Sequence, residues 1–464
     1  LYAEILRLAW PLIVSTGSFT IMTFCDRMFL SWHSAVAIQA ALPAGILSFT
    51  LVCGFMALAA YANTFVAQFH GAGDRRGCSR ATFQGVLFSL LSWPCLLALI
   101  PFGRWLLRIS GHAPEVLAAE LPYFTVLMIG SVTTPLSAAL SGFFSGRGDT
   151  RTTMYAHLVG NGLNIVLDYA LIFGKWGFPA LGIVGAAWAT VIASVFTPVI
   201  LFACYFSKRY RAYDTRGTLR YDHALFWRMV RFGLPAGVHL ALDIASFSVF
   251  ILLTGRLGAT ALSASNIVLS INTLAFMPLI GLGITASILV GQYQGRGDST
   301  TAEMVGWATW KLGLCYVLLT GVFFVLTPRP LVGLFARGAG AASFESVFPT
   351  ARILLMLVVG WGLADAGNLT IGNALKGAGD TRFVMIYSVI MAWFVLALGQ
   401  VVLMLVLQRG IVAAWLWTAF YIALLATGYI LRFRSGAWKS IDVLGRQAPV
   451  EPLRPGSEAL GIAE

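Results

Sequence analysis

Long apolar stretches alternate with short polar ones along the whole chain. At ~20 apolar residues per membrane crossing, the pattern predicts twelve helical spans, over residues 8–32, 41–67, 82–102, 117–145, 152–174, 182–206, 229–254, 263–291, 304–326, 347–375, 383–407 and 411–431. The longest polar connection, Ser207–Arg228, falls at the midpoint. The expected fold is therefore all-α and integral to a membrane, with twelve transmembrane helices in two six-helix bundles. Residues 1–206 form the first lobe, 207–228 a cytoplasmic linker and 229–432 the second lobe. The polar, Pro-containing tail 433–464 is expected to be disordered.

The two halves repeat one another. Leu6-Arg-Leu-Ala-Trp-Pro11-Leu corresponds to Val230-Arg-Phe-Gly-Leu-Pro235-Ala, and Gly71-Ala-Gly-Asp74 to Gly295-Arg-Gly-Asp298. Gly146-Arg-Gly-Asp-Thr-Arg151 matches Gly377-Ala-Gly-Asp-Thr-Arg382. With six spans per half, corresponding spans run in the same direction, and parallel repeats of this kind build transporters around a central cavity. The G-x-G-D loops contain no GKS or GKT and are not phosphate loops. Glycine for a tight turn and aspartate as a helix cap explain them. With no nucleotide-binding motif in the chain, an ion gradient is the expected energy source.

Composition agrees: 58% of the 464 residues are hydrophobic and 11% charged, against about 25% charged in soluble domains. The formal charge of +12 does not point to nucleic acid, because the basic residues lie in loops. The termini and even-numbered connections carry 21 lysines and arginines against 7 on the other side. That asymmetry predicts cytoplasmic termini in a multi-pass protein of the cell (inner or plasma) membrane. The first apolar run is long enough to span and is not read as a cleavable signal. Six cysteines without a CxxC pair suggest neither a disulfide framework nor a structural metal site.

The chemistry is concentrated in four buried acids. In span five His157, Asn161, Asn164 and Asp168 recur at steps of four, three and four, which places them on one helix face. A carboxylate inside a membrane costs about 2.5–3.5 kcal/mol on insertion scales and faces a cavity or a partner. Asp26 and Asp168 each lie ~25 Å along an outward-running span, so they can meet in the first lobe. Asp243 and Asp365 lie nearer mid-membrane in the second. In span seven His239 and Asp243 share a face with Ser246 and Phe250; in span ten Trp361, Asp365, Asn368 and Gly372 do so. The stripe in span five reads either as glue between helices or as a cation or proton site. His239 and Trp361 taken alone read as helix-interface residues. A desolvated Asp suits proton carriage, and two Asp with two Asn equally suit an oxygen cage for Na⁺. The residues do not choose between these.

These motifs resemble the multidrug and toxic compound extrusion (MATE) family over nearly the whole chain, from Leu6 to Arg432. The resemblance rests on Leu8-Ala-Trp-Pro11 with Cys25-Asp26-Arg-Met-Phe-Leu, and on Asn161-Gly-Leu-Asn164-Ile-Val-Leu-Asp168. Ile288-Leu-Val-Gly-Gln292-Tyr-Gln-Gly295 and Leu375-Lys-Gly-Ala-Gly-Asp-Thr-Arg382 extend it. It implies a V-shaped pair of bundles exporting organic cations and amphipathic drugs against entering H⁺ or Na⁺. It places the first-lobe cation site at Asp26, Asn164 and Asp168, and protonation-linked bending at Pro11. Asp243 stands where the Na⁺-coupled branch usually has Glu, and Trp361 where it tends to have Tyr, one turn before Asp365.

The function expected is a cation-coupled multidrug antiporter working by alternating access, as a monomer in the lipid bilayer, without a cofactor beyond the coupling ion. A flippase for a lipid-linked saccharide or another amphipathic lipid is the alternative, and it calls for a more basic cavity. A membrane enzyme is not expected, since the chain holds no HExxH, GxSxG or DDxxD.

Overall fold

The computed structural model describes residues 1–336 and 341–445. Among them there is no strand, and twelve helices are long and apolar enough to span a membrane. Each predicted span has its counterpart, from Tyr2–His33 to Ile411–Arg434. Spans two, three, five, seven and nine start two to seven residues before the apolar runs, each capped by a serine or aspartate side chain. Asp74 accepts the amide N–H of Gly77 at 2.7 Å, and Asp298 that of Thr301 at 2.9 Å. Thr301 holds the Asp298 carboxyl below the usual carboxylate range through its hydroxyl and amide. In all four G-x-G-D loops the second glycine has positive φ, between 79° at Gly73 and 100° at Gly379, a region that L side chains avoid. The turn reading thus describes all four loops and the cap reading three of them: Asp149 also caps its helix, whereas Asp380 makes no side-chain cap and accepts Arg432 Nε at 2.7 Å.

Two features escaped the apolar pattern. Short amphipathic helices, Ile100–Ile109 and Pro328–Ala336, follow spans three and nine. Phe102 and Trp105 are exposed on the first of them, as on a helix lying at an interface. Span two is also broken at Tyr61 into Ala35–Ala60 and Ala62–Gly71.

The N-terminus, the segment 435–445, the 207–222 connection and the G-x-G-D loops share one side of the molecule, here the basic side. On that side the sequence halves exchange support. Ile5, Leu8 and Ala9 at the base of span one belong to the apolar core of the second lobe. Leu225 and Met229 at the base of span seven belong to a core of the first lobe, with Phe65 and Val66. The connection itself is folded. Tyr210 is buried and donates its hydroxyl to Asp149 at 2.7 Å. Tyr210 and Tyr213, with Phe143, enclose the Arg147 guanidinium, a favourable cation–π arrangement. Tyr210→Phe should lower stability by about 1.5–3 kcal/mol, the cost of a hydrogen bond to a charged group. Thermal unfolding of the purified protein in detergent checks this.

The tail begins later than expected. Trp438 is fully buried, stacked on Phe433 at 4.9 Å, and donates its ring N–H to the Phe433 carbonyl. Val443 and Leu444 reach the first-lobe core, where Arg228 binds the Leu444 carbonyl. The expectation of disorder is therefore corrected for residues 433–445: three apolar anchors fold a segment whose overall polarity suggested otherwise. The rest of the tail, 446–464, lies outside the described residues.

Candidate functional site

Spans one and five bring Asp26 and Asp168 close enough to interact electrostatically. Asp168 is fully buried and Asp26 half-buried. Neither oxygen of Asp168, nor Asp26 Oδ1, nor Asn164 Oδ1 accepts a hydrogen bond. The nearby amides are turned elsewhere. Asn164 Nδ2 donates to Thr190 Oγ1 at 3.4 Å, and Asn161 Nδ2 to Ser18 Oγ at 2.8 Å. The result is a buried group of oxygen acceptors with two potential negative charges, in which these four oxygens accept no hydrogen bond, with Tyr123 and Arg27 as electrostatic neighbours. Two like charges at such a site are costly unless a proton or a cation is shared.

The rest of the stripe has other partners. His157 Nε2 lies 3.3 Å from Ser141 Oγ of span four, a helix-interface contact. Pro11 is buried in span one, about 22 Å along the helix from Asp26, where the span leans on the second lobe. Proline cannot donate to the carbonyl one turn back, so bending there would alter the contact between lobes and swing the outer part of the same helix, which carries Asp26.

The second lobe is built differently. Asp365 has both oxygens occupied: Trp361 Nε1 donates to Oδ2 at 2.7 Å and Asn368 Nδ2 to Oδ1 at 3.1 Å. Asp243 receives the Tyr421 hydroxyl at 3.4 Å and interacts electrostatically with Lys376 and Asp365. Both acids are set in aromatic rings. Phe247 meets Trp361 at 6.5 Å, and Trp361 meets Trp415 at 5.6 Å. On span seven Ser246 and Phe250 are buried, while His239, Asp243 and Phe247, like most residues from 239 to 249, are half-buried. His239 is half-buried and has Lys376 as an electrostatic neighbour.

Sequence reasoning missed several groups here. Tyr123 of span four, buried, faces both Asp26 and Asp168; it carries no charge to mark it. Glu120, one turn before it and near the start of span four, is fully buried 2.7 Å from His112. Lys376 stands just past an apolar run and is followed by Gly-Ala-Gly-Asp, which marks a loop in hydropathy, yet it belongs to the helix of span ten. Among the described residues no three His, Cys, Asp or Glu gather as a metal cluster.

Twelve spans in two repeated lobes, with buried acids in each, define a polytopic transporter. The MatE family model matches residues 11–170 and 235–402. The probable multidrug resistance protein NorM of Thermotoga maritima is 27% identical over 448 residues, 96% of this chain and 94% of that one. The same-named protein of Pseudomonas putida is 30% identical over 449 residues, 95% of each chain. A solved structure described as the outward-facing conformation of a multidrug resistance MATE family transporter of the MOP superfamily superposes with a TM-score of 0.84. It is 20% identical and covers 95% of this chain and 97% of that one. The chain belongs to the MatE family of membrane transporters.

Proposed function

We propose that the protein exports amphipathic organic cations across the cell membrane in exchange for H⁺ or Na⁺, with its basic side and both termini in the cytoplasm. The observation that carries this reading is the contrast between the lobes. The first-lobe acids have unpartnered oxygens, whereas the second-lobe acids already accept N–H and O–H donors, have the Lys376 ammonium as an electrostatic neighbour and are framed by aromatic rings. The first arrangement suits a small cation taken from outside. The second suits a large organic cation, which gains from carboxylate and ring faces together.

Close approaches between the lobes fall in their cytoplasmic halves, as where Gly54 meets Gly237 and Gly281 meets Ile13. This supports an outward-open state in which Asp26 and Asp168 await the incoming ion. Binding there and binding of the drug each favour a different state, and linkage makes the effect reciprocal. One polypeptide contains both sites, so a monomer suffices.

The flippase reading requires a basic cavity. Lys376 is the base that the structure adds, but it faces Asp243 and leaves no net positive site there.

Inverted membrane vesicles test the proposal. A fluorescent organic cation should accumulate inside when an outwardly directed gradient of H⁺ or Na⁺ is imposed. Accumulation under one gradient alone identifies the coupling ion. No accumulation under either defeats the antiporter reading and favours the flippase.

A further inference from the structure

The repeat that relates the lobes also places two glutamines in a reciprocal arrangement at the basic side. Gln68 lies near the end of span two and Gln292 near the end of span eight, 224 residues apart, the offset of the flanking G-x-G-D loops. Both are buried. Gln68 Nε2 donates to the carbonyl of Gly377 at 3.0 Å, and Gln292 Nε2 to the carbonyl of Gly146 at 2.8 Å. Each glutamine thus reaches out of its own lobe to the glycine that opens the other lobe's G-x-G-D-T-R loop.

The two backbones touch at the same place. A Cβ on Gly71 would lie 1.9 Å from the Gln292 carbonyl oxygen, and one on Gly295 would lie 2.0 Å from that of Gln68. Neither obstacle is the end of a flexible side chain. Spans two and eight therefore close on each other only with glycine at both positions. Tyr61 adds a third bond between lobes, its hydroxyl donating to the Lys376 carbonyl at 3.0 Å.

We propose that Gln68 and Gln292 are the paired gate residues of the transport cycle, closing the cytoplasmic side by each binding the loop glycine of the opposite lobe. This rests on the alternating-access reading. In the inward-open state the spans must part, and both amides and both carbonyls then turn to water that fills the opened side. The G-x-G-D-T-R loops acquire a second role beyond the turn: they present a backbone carbonyl to the other lobe. Because the two bonds are equivalent under the repeat, they should contribute similarly and break together.

Hydrogen–deuterium exchange of the purified protein without drug tests this on Gln68→Ala, Gln292→Ala and the double variant. At roughly one kcal/mol per hydrogen bond, each single change should raise the opening equilibrium at residues 62–72 and 286–296 about 5-fold. The double change should raise it about 30-fold. Exchange in the outer halves of the same spans should not rise. Gly71→Ala, which keeps both glutamines, should raise exchange at the same two segments. The proposal is overturned if the double variant exchanges like wild type there, or if exchange rises evenly through both lobes as in general destabilisation. Because the readout needs neither dye nor gradient, a gate that opens in a protein showing no cation export would sink the antiporter reading and leave the gate standing.

Discussion

Asp168→Asn should abolish gradient-driven export and at the same time make the protein more stable. The carboxylate is fully buried, no donor reaches either of its oxygens, and Asp26 lies close by. Such a pair is a burden on the folded state, relieved only by a bound proton or cation. Asparagine keeps the shape, removes one potential charge and supplies an N–H that Asp26 can accept. Stability should rise by about 1–3 kcal/mol, the usual cost of an unsatisfied buried polar group. Export should fall to the level of vesicles without the protein. Asp26→Asn should behave likewise, with a smaller gain because Asp26 is half-buried. Thermal unfolding and vesicle accumulation, measured on one preparation, check both signs. Loss of export with loss of stability would instead mark Asp168 as a structural residue.

Asp243→Asn should weaken the binding of monovalent organic cations about 30-fold or more, while leaving uncharged amphipathic compounds nearly unaffected. Removing one partner of a buried, hydrogen-bonded charge pair costs about 2–5 kcal/mol, and 2 kcal/mol is about 30-fold. Lys376 now interacts with this carboxylate, so an organic cation must compete with it. Lys376→Gln should accordingly move affinity the other way, toward tighter binding of cations. Fluorescence titration of purified protein with a cationic dye and a neutral analogue separates these outcomes. Equal weakening for both compounds would remove Asp243 from the charge-selective site.

The parts legible in the sequence are those written in single residues. Twelve spans follow from apolar runs, and the acids follow from their rarity in such runs. Asp26 and Asp168 could be paired across 142 positions because two outward-running spans put them at similar depth. Depth along a helix is a matter of counting.

Rotation about the helix and the identity of its neighbours are not. The span-seven face was read through Ser246 and Phe250, but in the packed bundle Phe247 is partly open instead. A step of four from Asp243 reaches Phe247 and a step of three reaches Ser246, and the neighbouring spans decide which one faces a cavity. Lys376 was lost for a related reason: a helix that runs on past its apolar stretch carries a base inward, and hydropathy reads that base as loop. The folded start of the tail depended on Trp438 stacking on Phe433 and on Val443 and Leu444 finding apolar partners far away in the chain. The reciprocal glutamines show the same limit. Their 224-residue offset is visible in the repeat, but nothing in the sequence says that each bonds across the lobes.

One small cation at Asp26 and Asp168 and one organic cation elsewhere should oppose each other's binding. Equilibrium binding of a fluorescent organic cation to purified protein, over a series of pH values and of Na⁺ concentrations, tests it most directly. Dye affinity should fall as protons or Na⁺ are added to the wild type, and this dependence should be lost in Asp168→Asn. Dye affinity that ignores both ions in the wild type, or that keeps its ion dependence in Asp168→Asn, would contradict it.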